Sequence, residues 1–167
     1  MRPEAALLLA LLAAPAGAEE PGGLWGRTVL VRVETWDDPG TPLLRSRDYV
    51  GRVGPGPEFD VTAEAWGALG VVPVAIDLAA DRIDLSYGGT APGVFAPAAF
   101  NGYVLSFPAE CTLLTGAALD PAATTLPLTG ADLRVEPGAL RVNVAGLVHG
   151  PADRIGITLD VTDCALS

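Results

Sequence analysis

Residues 28–36, TVLVRVETW, alternate between apolar and polar side chains, and this alternation decides the fold class. Val29, Val31 and Val33 fall on one face of an extended chain. Arg32 falls on the opposite face, together with the other polar residues of the stretch. A period of two is typical of a strand with one buried and one solvated face, so we predict a half-buried β-strand here.

The rest of the chain repeats this pattern in short stretches separated by turn-forming residues. Further strands are predicted within residues 45–53, 71–79, 82–87, 103–107, 111–115, 132–136, 139–144 and 154–162. Pro137-Gly138 joins two of them and predicts a hairpin. Only residues 62–70 have the composition of a short helical turn. About eight to ten short strands at this spacing predict an all-β fold, an antiparallel β-sandwich of jelly-roll or Ig-like type, with a barrel as second choice.

The stretch AAFNGYVLSF, residues 98–107, contains the Asn-Gly pair that is typical of tight hairpins. A turn at Asn101-Gly102 would fold residues 96–100 back on residues 103–107. The alternative is an irregular entry at Asn101 into one strand. In both cases alternate residues of 103–107 share a face, and we expect that face to point into the core.

Residues 1–18, MRPEAALLLALLAAPAGA, have the three parts of a secretory signal. These are a short start with Arg2, an apolar run, and a small-residue end at Ala16-Gly17-Ala18. The apolar run is too short to span a bilayer. We therefore expect a signal peptide over 1–18, a single domain over 19–167, no membrane span, and a periplasmic or extracellular location.

The chain is acidic, with a formal net charge of −10 over 167 residues. Such a charge repels nucleic acid and anionic membranes, so neither is expected as a partner. The partner classes that remain are a polysaccharide or a protein of the cell envelope.

The two cysteines, Cys111 and Cys164, are expected to form a disulfide. An even number of cysteines in an exported chain favours a bridge over a metal site or a nucleophile. A loop of that size would stabilise the fold by about 4 kcal/mol in the chain-entropy model. Two separate buried thiols are the alternative.

Catalytic constellations are sparse in the sequence. His149 is the only histidine, it lies beside a Gly-Pro turn, and we interpret it as a loop residue. The chain has no Gly-x-Ser-x-Gly motif, and one histidine with two bridged cysteines does not make a usual zinc ligand set. We expect no enzymatic activity. A hydrolase that uses two of the many carboxylates stays open as an unfavoured alternative.

The stretch IDLAADRIDL, residues 76–85, suggests a weak metal site. If a tight hairpin turns at its centre, Asp77 lies directly opposite Asp84, and like charges opposed in a sheet are destabilising. Arg82 would offset this repulsion if it screens the two aspartates. A calcium ion bound by Asp77, Asp81 and Asp84 would also offset it, since calcium prefers oxygen ligands. No other cofactor is expected.

Trp36, Arg45 and Arg47 are the candidate ligand-binding residues. Trp36 lies opposite the valine face of its strand, so its ring is the best candidate for an exposed platform for a sugar. The two arginines can bind an acidic polysaccharide through bidentate contacts. The alternative is a Trp in the core or at its rim, and a solvated arginine face that keeps a sheet edge from pairing.

The stretch VGRVGPGPEFDV, residues 50–61, resembles the Gly-rich VGxGxEF stretch of a family of secreted bacterial domains. AIDLAADRIDLSY, AAFNGYVLSF, LLTGAALDPAAT and LRVEPGALRVNVAGL are similar to later blocks of that family, in the same order. The family is found in exported proteins with a PEP-CTERM-type sorting tail. The likeness covers residues 28–162, whereas this chain ends at Ser167 without a sorting helix. The resemblance implies a β-sandwich and export, and it implies no established activity.

These patterns together predict a secreted, non-enzymatic structural or binding module of the cell envelope or extracellular matrix. A carbohydrate-binding module, with or without calcium, is the first alternative. Exposure of Trp36 beside Arg45 and Arg47 would favour binding, and two carboxyl groups facing each other in a cleft would favour a hydrolase.

Overall fold

The computed structural model describes residues 22–61, 71–109, 111 and 113–162. The predicted signal peptide (1–18) and helical turn (62–70) lie outside these residues. No helix in the described part of the chain is long and apolar enough to cross a membrane. The strands of the described part are β1 (Thr28–Trp36), β2 (Leu44–Arg45), β3 (Tyr49–Arg52), β4 (Phe59–Val61), β5 (Val74–Leu78), β6 (Arg82–Ser86), β7 (Gly93–Val94), β8 (Phe100–Ser106), β9 (Leu114–Leu119), β10 (Leu133–Glu136), β11 (Ala139–Asn143), β12 (Val148–His149) and β13 (Arg154–Val161).

The strands pair in two main antiparallel sheets. One sheet has six strands in the order β10-β11-β8-β1-β2, with β3 also paired to β1. The other has five strands in the order β4-β5-β6-β13-β9, and β7 pairs separately with β12. The two sheets share one apolar core, and no sheet closes on itself in the described part of the chain. The predicted β-sandwich is therefore confirmed over the barrel.

The alternation in residues 28–36 is confirmed as the centre of the six-stranded sheet. The strand β1 has the predicted bounds, and its three valines are buried. Leu105 and Tyr103 of β8 stand opposite Val31 and Val33 and are buried as well. Burial of each such side chain contributes about 1.5–3 kcal/mol. This row of paired apolar residues therefore fixes which face of β1 points into the core.

The five-stranded sheet supplies the other side of the core. Its central strands β5, β6 and β13 fall within the predicted stretches and alternate as expected. Their fully or almost fully buried aliphatic residues are Ile76, Leu78, Ile83, Leu85, Ile155, Ile157 and Leu159. Neighbouring rows of this kind interdigitate with those of the facing sheet in a sandwich.

The hairpin predicted at Pro137-Gly138 is confirmed, because β10 and β11 pair across it. Gly138 has a φ of 71°. This is the left-handed region that glycine enters without steric penalty, so the residue suits the turn.

The hairpin turn predicted at Asn101-Gly102 is wrong. Both residues lie inside the continuous strand β8, where Asn101 stands opposite Thr35 and Gly102 opposite Glu34. The strand has neighbours on both sides, β1 and β11, and a hairpin would have removed these two ladders. The expected burial of Tyr103 and the alternate residues after it is confirmed.

The extended stretch predicted at 45–53 is interrupted at Ser46, which lies between β2 and β3. The backbone N–H of Ser46 donates to the carbonyl of Val33 at 3.0 Å. Its hydroxyl accepts the N–H of Val33 at 3.0 Å and donates to the carbonyl of Arg47 at 2.8 Å. This irregularity separates Arg45 from Arg47.

Candidate functional site

Four arginines lie on the outward face of the six-stranded sheet. They come from β1, β2, β10 and β11, and they form ion pairs with three carboxylates. We call this set, with the indole beside it, the arginine face; it consists of Arg32, Glu34, Trp36, Arg45, Asp48, Arg134, Glu136 and Arg141. Four guanidinium groups against three carboxylates leave one positive charge, in a chain whose net charge is −10.

Glu34 is the centre of the arginine face. Glu34 is 1% exposed, although it lies on the outward side of β1. Oε1 accepts from Nε of Arg32 at 2.7 Å and lies 3.1 Å from Nε of Arg45. Oε2 accepts from a terminal nitrogen of Arg141 at 3.3 Å and from the indole N–H of Trp36 at 3.2 Å. One buried carboxylate thus holds four side chains from three strands.

The Glu34 carboxyl stays ionised because its partners outweigh its burial. Desolvation opposes ionisation and by itself would raise the pKa of Glu34. The hydrogen bond and charge of Arg32 act in the opposite direction, followed by the Trp36 N–H and the charge of Arg45, so the pKa of Glu34 lies below its usual value. For Arg32 desolvation also comes first, but Glu34 and Asp48 raise the pKa of its guanidinium overall. A buried charge of this kind is tolerated only when it is paired and hydrogen-bonded.

Gly102 lies in β8 between two neighbouring strands of the six-stranded sheet. It stands opposite Glu34 on β1 and opposite Asn143 on β11. A Cβ atom at this position would collide with the carbonyl oxygen of Val142. The glycine is therefore required by the close approach of β8 and β11, and the Asn-Gly pair is part of the framework of the site rather than a turn.

Trp36, predicted as the best candidate for exposure, is half-buried. Its indole stacks on the ring of Phe100, with ring centroids 5.1 Å apart and planes inclined by 19°. Stacking of this kind favours burial of one ring face. The indole N–H is bound to Glu34, so the ring has a defined orientation at the end of the arginine face.

The structure brings Trp36 and Arg45 together but gives Arg47 another partner. Arg45 and Trp36 both contact the carboxylate of Glu34, and the side chain of Arg45 is 50% exposed. The guanidinium of Arg47 lies 4.8 Å from the centroid of the Tyr49 ring, a cation–π contact. The break at Ser46 explains the separation, because alternation along one uninterrupted strand would have kept the two arginines on the same face.

A second carboxylate organises the far side of the arginine face. Arg134 and Arg141 stand directly opposite each other on β10 and β11, where like charges repel. Oε1 of Glu136 lies 3.2 Å from Nε of Arg134 and 3.3 Å from Nε of Arg141. This carboxylate offsets the repulsion in the way that an external anion also would.

The sequence analysis missed Glu34 as the central residue and Arg141 as its partner. The alternation in β1 placed Glu34 on the solvated face, and a buried acid there has no local signal. Arg141 is 107 positions away in the chain and reaches Glu34 only through the pairing of β11 with β8.

The predicted pairing of Asp77 with Asp84 is confirmed in the hairpin of β5 and β6. Arg82 binds Asp84 through two nitrogens at 2.6 and 2.7 Å, and its third nitrogen binds Asp120 at 2.7 Å. These hydrogen bonds raise the pKa of Arg82 and lower that of Asp120. Asp81 contributes its backbone carbonyl to the N–H of Leu159. Within 22–61, 71–109, 111 and 113–162, no three His, Cys, Asp or Glu side chains are grouped to share a metal ion.

The interpretation of His149 as a loop residue is wrong, because it lies in β12 and is 6% exposed. Its ring packs 4.5 Å from the centroid of Phe95 and 6.4 Å from that of Tyr87. Its Nδ1 is buried and has no hydrogen-bond partner among the described residues. Burial also raises the pKa of Tyr87 and of nearby Tyr103. The surroundings of His149 are those of a packed aromatic cluster.

An apolar cleft of about 410 Å³ opens at the edge of the sandwich beside β2. Its wall includes Val33 and Phe95, and the exposed aliphatic residues Leu43 and Val94 lie at its mouth. A cavity of this size fits a small apolar molecule. Val71 and Val72 form part of its wall. They directly follow residues 62–70, which lie outside the described part of the chain.

The predicted disulfide stays a prediction, because Cys164 lies outside the described residues. Cys111 lies on the surface shortly before β9. The N–H of Thr162 donates to the carbonyl of Leu113 at 2.8 Å. The chain two residues before Cys164 is thus hydrogen-bonded to the chain two residues after Cys111.

No family model, curated protein or solved structure matches this chain. The resemblance to the exported bacterial family therefore stays a prediction.

Proposed function

We propose that this protein is a secreted, non-enzymatic binding module of the cell envelope or extracellular matrix, and that it binds an acidic polysaccharide. The observation that carries the proposal is the arginine face. It is a net-positive surface on an acidic chain, with an oriented indole at one end. Arginine presents a planar fork that matches a carboxylate, and an aromatic ring stacks on a sugar.

The arrangement of the face supports a carboxylate-bearing ligand. Glu34 and Glu136 already form ion pairs with arginines of the face. The carboxylates of the proposed ligand would bind arginine side chains through the same kind of contact. Arg45 and Arg134 have side chains that are 50% and 74% exposed, which leaves their guanidinium groups accessible to a polymer. The predicted Arg47 is not part of the arginine face, because its guanidinium packs on Tyr49.

The overall negative charge does not oppose this binding decisively. Charges farther apart than about 8 Å are largely screened at physiological ionic strength. A polymer lying on the face therefore interacts mainly with the arginines in contact with it. We expect binding that weakens with salt. Neutral glycans carry no charge for the arginines, and duplex DNA presents no pyranose ring to the Trp36 indole, so neither should reproduce the binding.

The test is titration calorimetry of the purified protein with polygalacturonate, a polymer of uronic acid, and with dextran and duplex DNA as controls. We expect binding to polygalacturonate only. Arg45→Gln should weaken it about tenfold, since one charge-assisted contact is worth roughly 1.4 kcal/mol. Arg154→Gln changes the net charge equally on the other sheet and should leave the affinity unchanged.

Equal weakening by both substitutions would show that total charge, and not the arginine face, controls binding. If wild-type protein binds none of the acidic or neutral polysaccharides tested, the binding role is refuted and the structural role is favoured.

A further inference from the structure

We propose that Glu34 is the positioning residue of the arginine face, and that its buried carboxylate sets the affinity for a carboxylate-bearing polymer. The proposal deepens the function proposed above and rests on it. In this proposal the buried negative charge of Glu34 increases the affinity for a negatively charged polymer.

Charge alone predicts the opposite effect. Neutralising Glu34 raises the net charge of the arginine face from one to two positive charges. If the face worked only as a patch of positive potential, an anionic polymer would then bind more tightly.

The contacts of Glu34 favour positioning. The carboxylate lies beneath the arginines and is 2% exposed, so it is shielded from a ligand on the surface. It binds Arg32 and Arg45 through Nε and Arg141 through a terminal nitrogen. Each guanidinium is thereby anchored at one edge before a ligand arrives.

Anchoring matters because free arginine side chains lose rotamer freedom when they bind. Side chains fixed in advance do not lose it again, and this preorganisation increases affinity. Trp36 is held by the same carboxylate, so the indole and the guanidinium groups keep one mutual geometry. Loss of Glu34 would remove the anchor that these side chains share, although Arg32 still pairs with Asp48 and Arg141 with Glu136.

Glu136 provides a matched control within the arginine face. It also accepts from two arginines, Arg134 and Arg141, but its side chain is 32% exposed. Glu34→Gln and Glu136→Gln make the same change in charge on the same face. They differ in whether the deleted charge lies beneath the arginines or at the surface.

The experiment measures the Kd for polygalacturonate and its salt dependence for wild type, Glu34→Gln, Glu136→Gln and Glu34→Asp. We expect Glu34→Gln to bind about tenfold more weakly with an undiminished salt slope, since four side chains lose a shared anchor. Glu136→Gln adds the same positive charge to the face without releasing the side chains held by Glu34, so it should bind more tightly than wild type. Glu34→Asp keeps the charge but is shorter, so we expect it to weaken binding at constant net charge.

A Glu34→Gln variant that is folded and binds as tightly as wild type, or more tightly, overturns the positioning role. If Glu34→Gln does not fold, Glu34→Asp decides the question, and a Kd equal to that of wild type overturns the proposal. Absence of binding by the wild type is a different result, because it refutes the proposed function itself.

Discussion

Replacing Gly102 with alanine should destabilise the protein, although alanine normally stabilises a chain relative to glycine. Alanine restricts the unfolded state, which is worth about 0.4–1 kcal/mol where the native backbone accepts it. Here the added Cβ would collide with the carbonyl oxygen of Val142, and a backbone atom cannot rotate away like a side chain. The structure therefore predicts a change of opposite sign.

The magnitude follows from the surroundings of Gly102. Relief of the collision requires β8 and β11 to separate, and these strands pair at five positions with Leu105 and Leu140 buried between the sheets. Overpacking of such a site costs about 1–3 kcal/mol. The midpoints of the overpacking cost and of the unfolded-state gain differ by about 1.3 kcal/mol, and we expect a net loss of that size in the free energy of unfolding.

Urea unfolding followed by tryptophan fluorescence and circular dichroism measures this difference. Gly88→Ala is the control, because a Cβ at Gly88 would meet no heavy atom within 4 Å and the residue is not in the left-handed region. That control should stabilise the protein by about 0.4–1 kcal/mol. If Gly102→Ala is as stable as wild type with an unchanged m-value, the close approach inferred for β8 and β11 is refuted.

Three other predictions concern stability. Leu105→Ala removes a core side chain and should reduce the free energy of unfolding by about 2–5 kcal/mol. Val50 is 69% exposed, so Val50→Ala should change this free energy by less than about 0.5 kcal/mol. Similar values for both variants would contradict the assigned faces. Because the pKa of Glu34 is lowered in the folded state, its contribution is present above the unfolded-state pKa of about 4.3 and is lost as the pH falls through the folded-state value. Acid titration of stability should therefore be shallower in Glu34→Gln than in wild type, and parallel curves would refute the assignment. A thiol assay on denatured, unreduced protein should find no free thiol, and replacing Cys111 and Cys164 with serine should reduce stability by about 4 kcal/mol; two reactive thiols would disprove the bridge.

Most of the fold was predictable because strand alternation is a local property. The bounds of β1 and the hairpin at Pro137-Gly138 follow from residues that lie next to each other in the chain. The pairing of Asp77 with Asp84 follows equally from a short connection. In each case a single turn, or the alternation along a single strand, is enough to predict the element.

The arginine face was predictable only in part. Trp36 was identified by its place opposite the valine face of its strand, and Arg45 as a bidentate contact for an acidic polysaccharide. The structure brings both to Glu34. The separation of Arg47 depends on the break at Ser46, which arises from hydrogen bonds to β1 and has no signature in the sequence.

The sequence by itself determined that this chain is all-β, because burial of one face imposes a period of two on strands such as β1. The pairing of the strands in two separate sheets then decided for a sandwich over a barrel. Only the tertiary structure decided what Asn101-Gly102 and Glu34 do. A glycine after asparagine serves a turn or a close strand approach equally well, and the choice depends on β1 and β11 lying on either side. A glutamate on a solvated face becomes buried only when arginines from other strands cover it. Both outcomes depend on contacts between residues distant in the chain, and alternation along a single strand does not encode them.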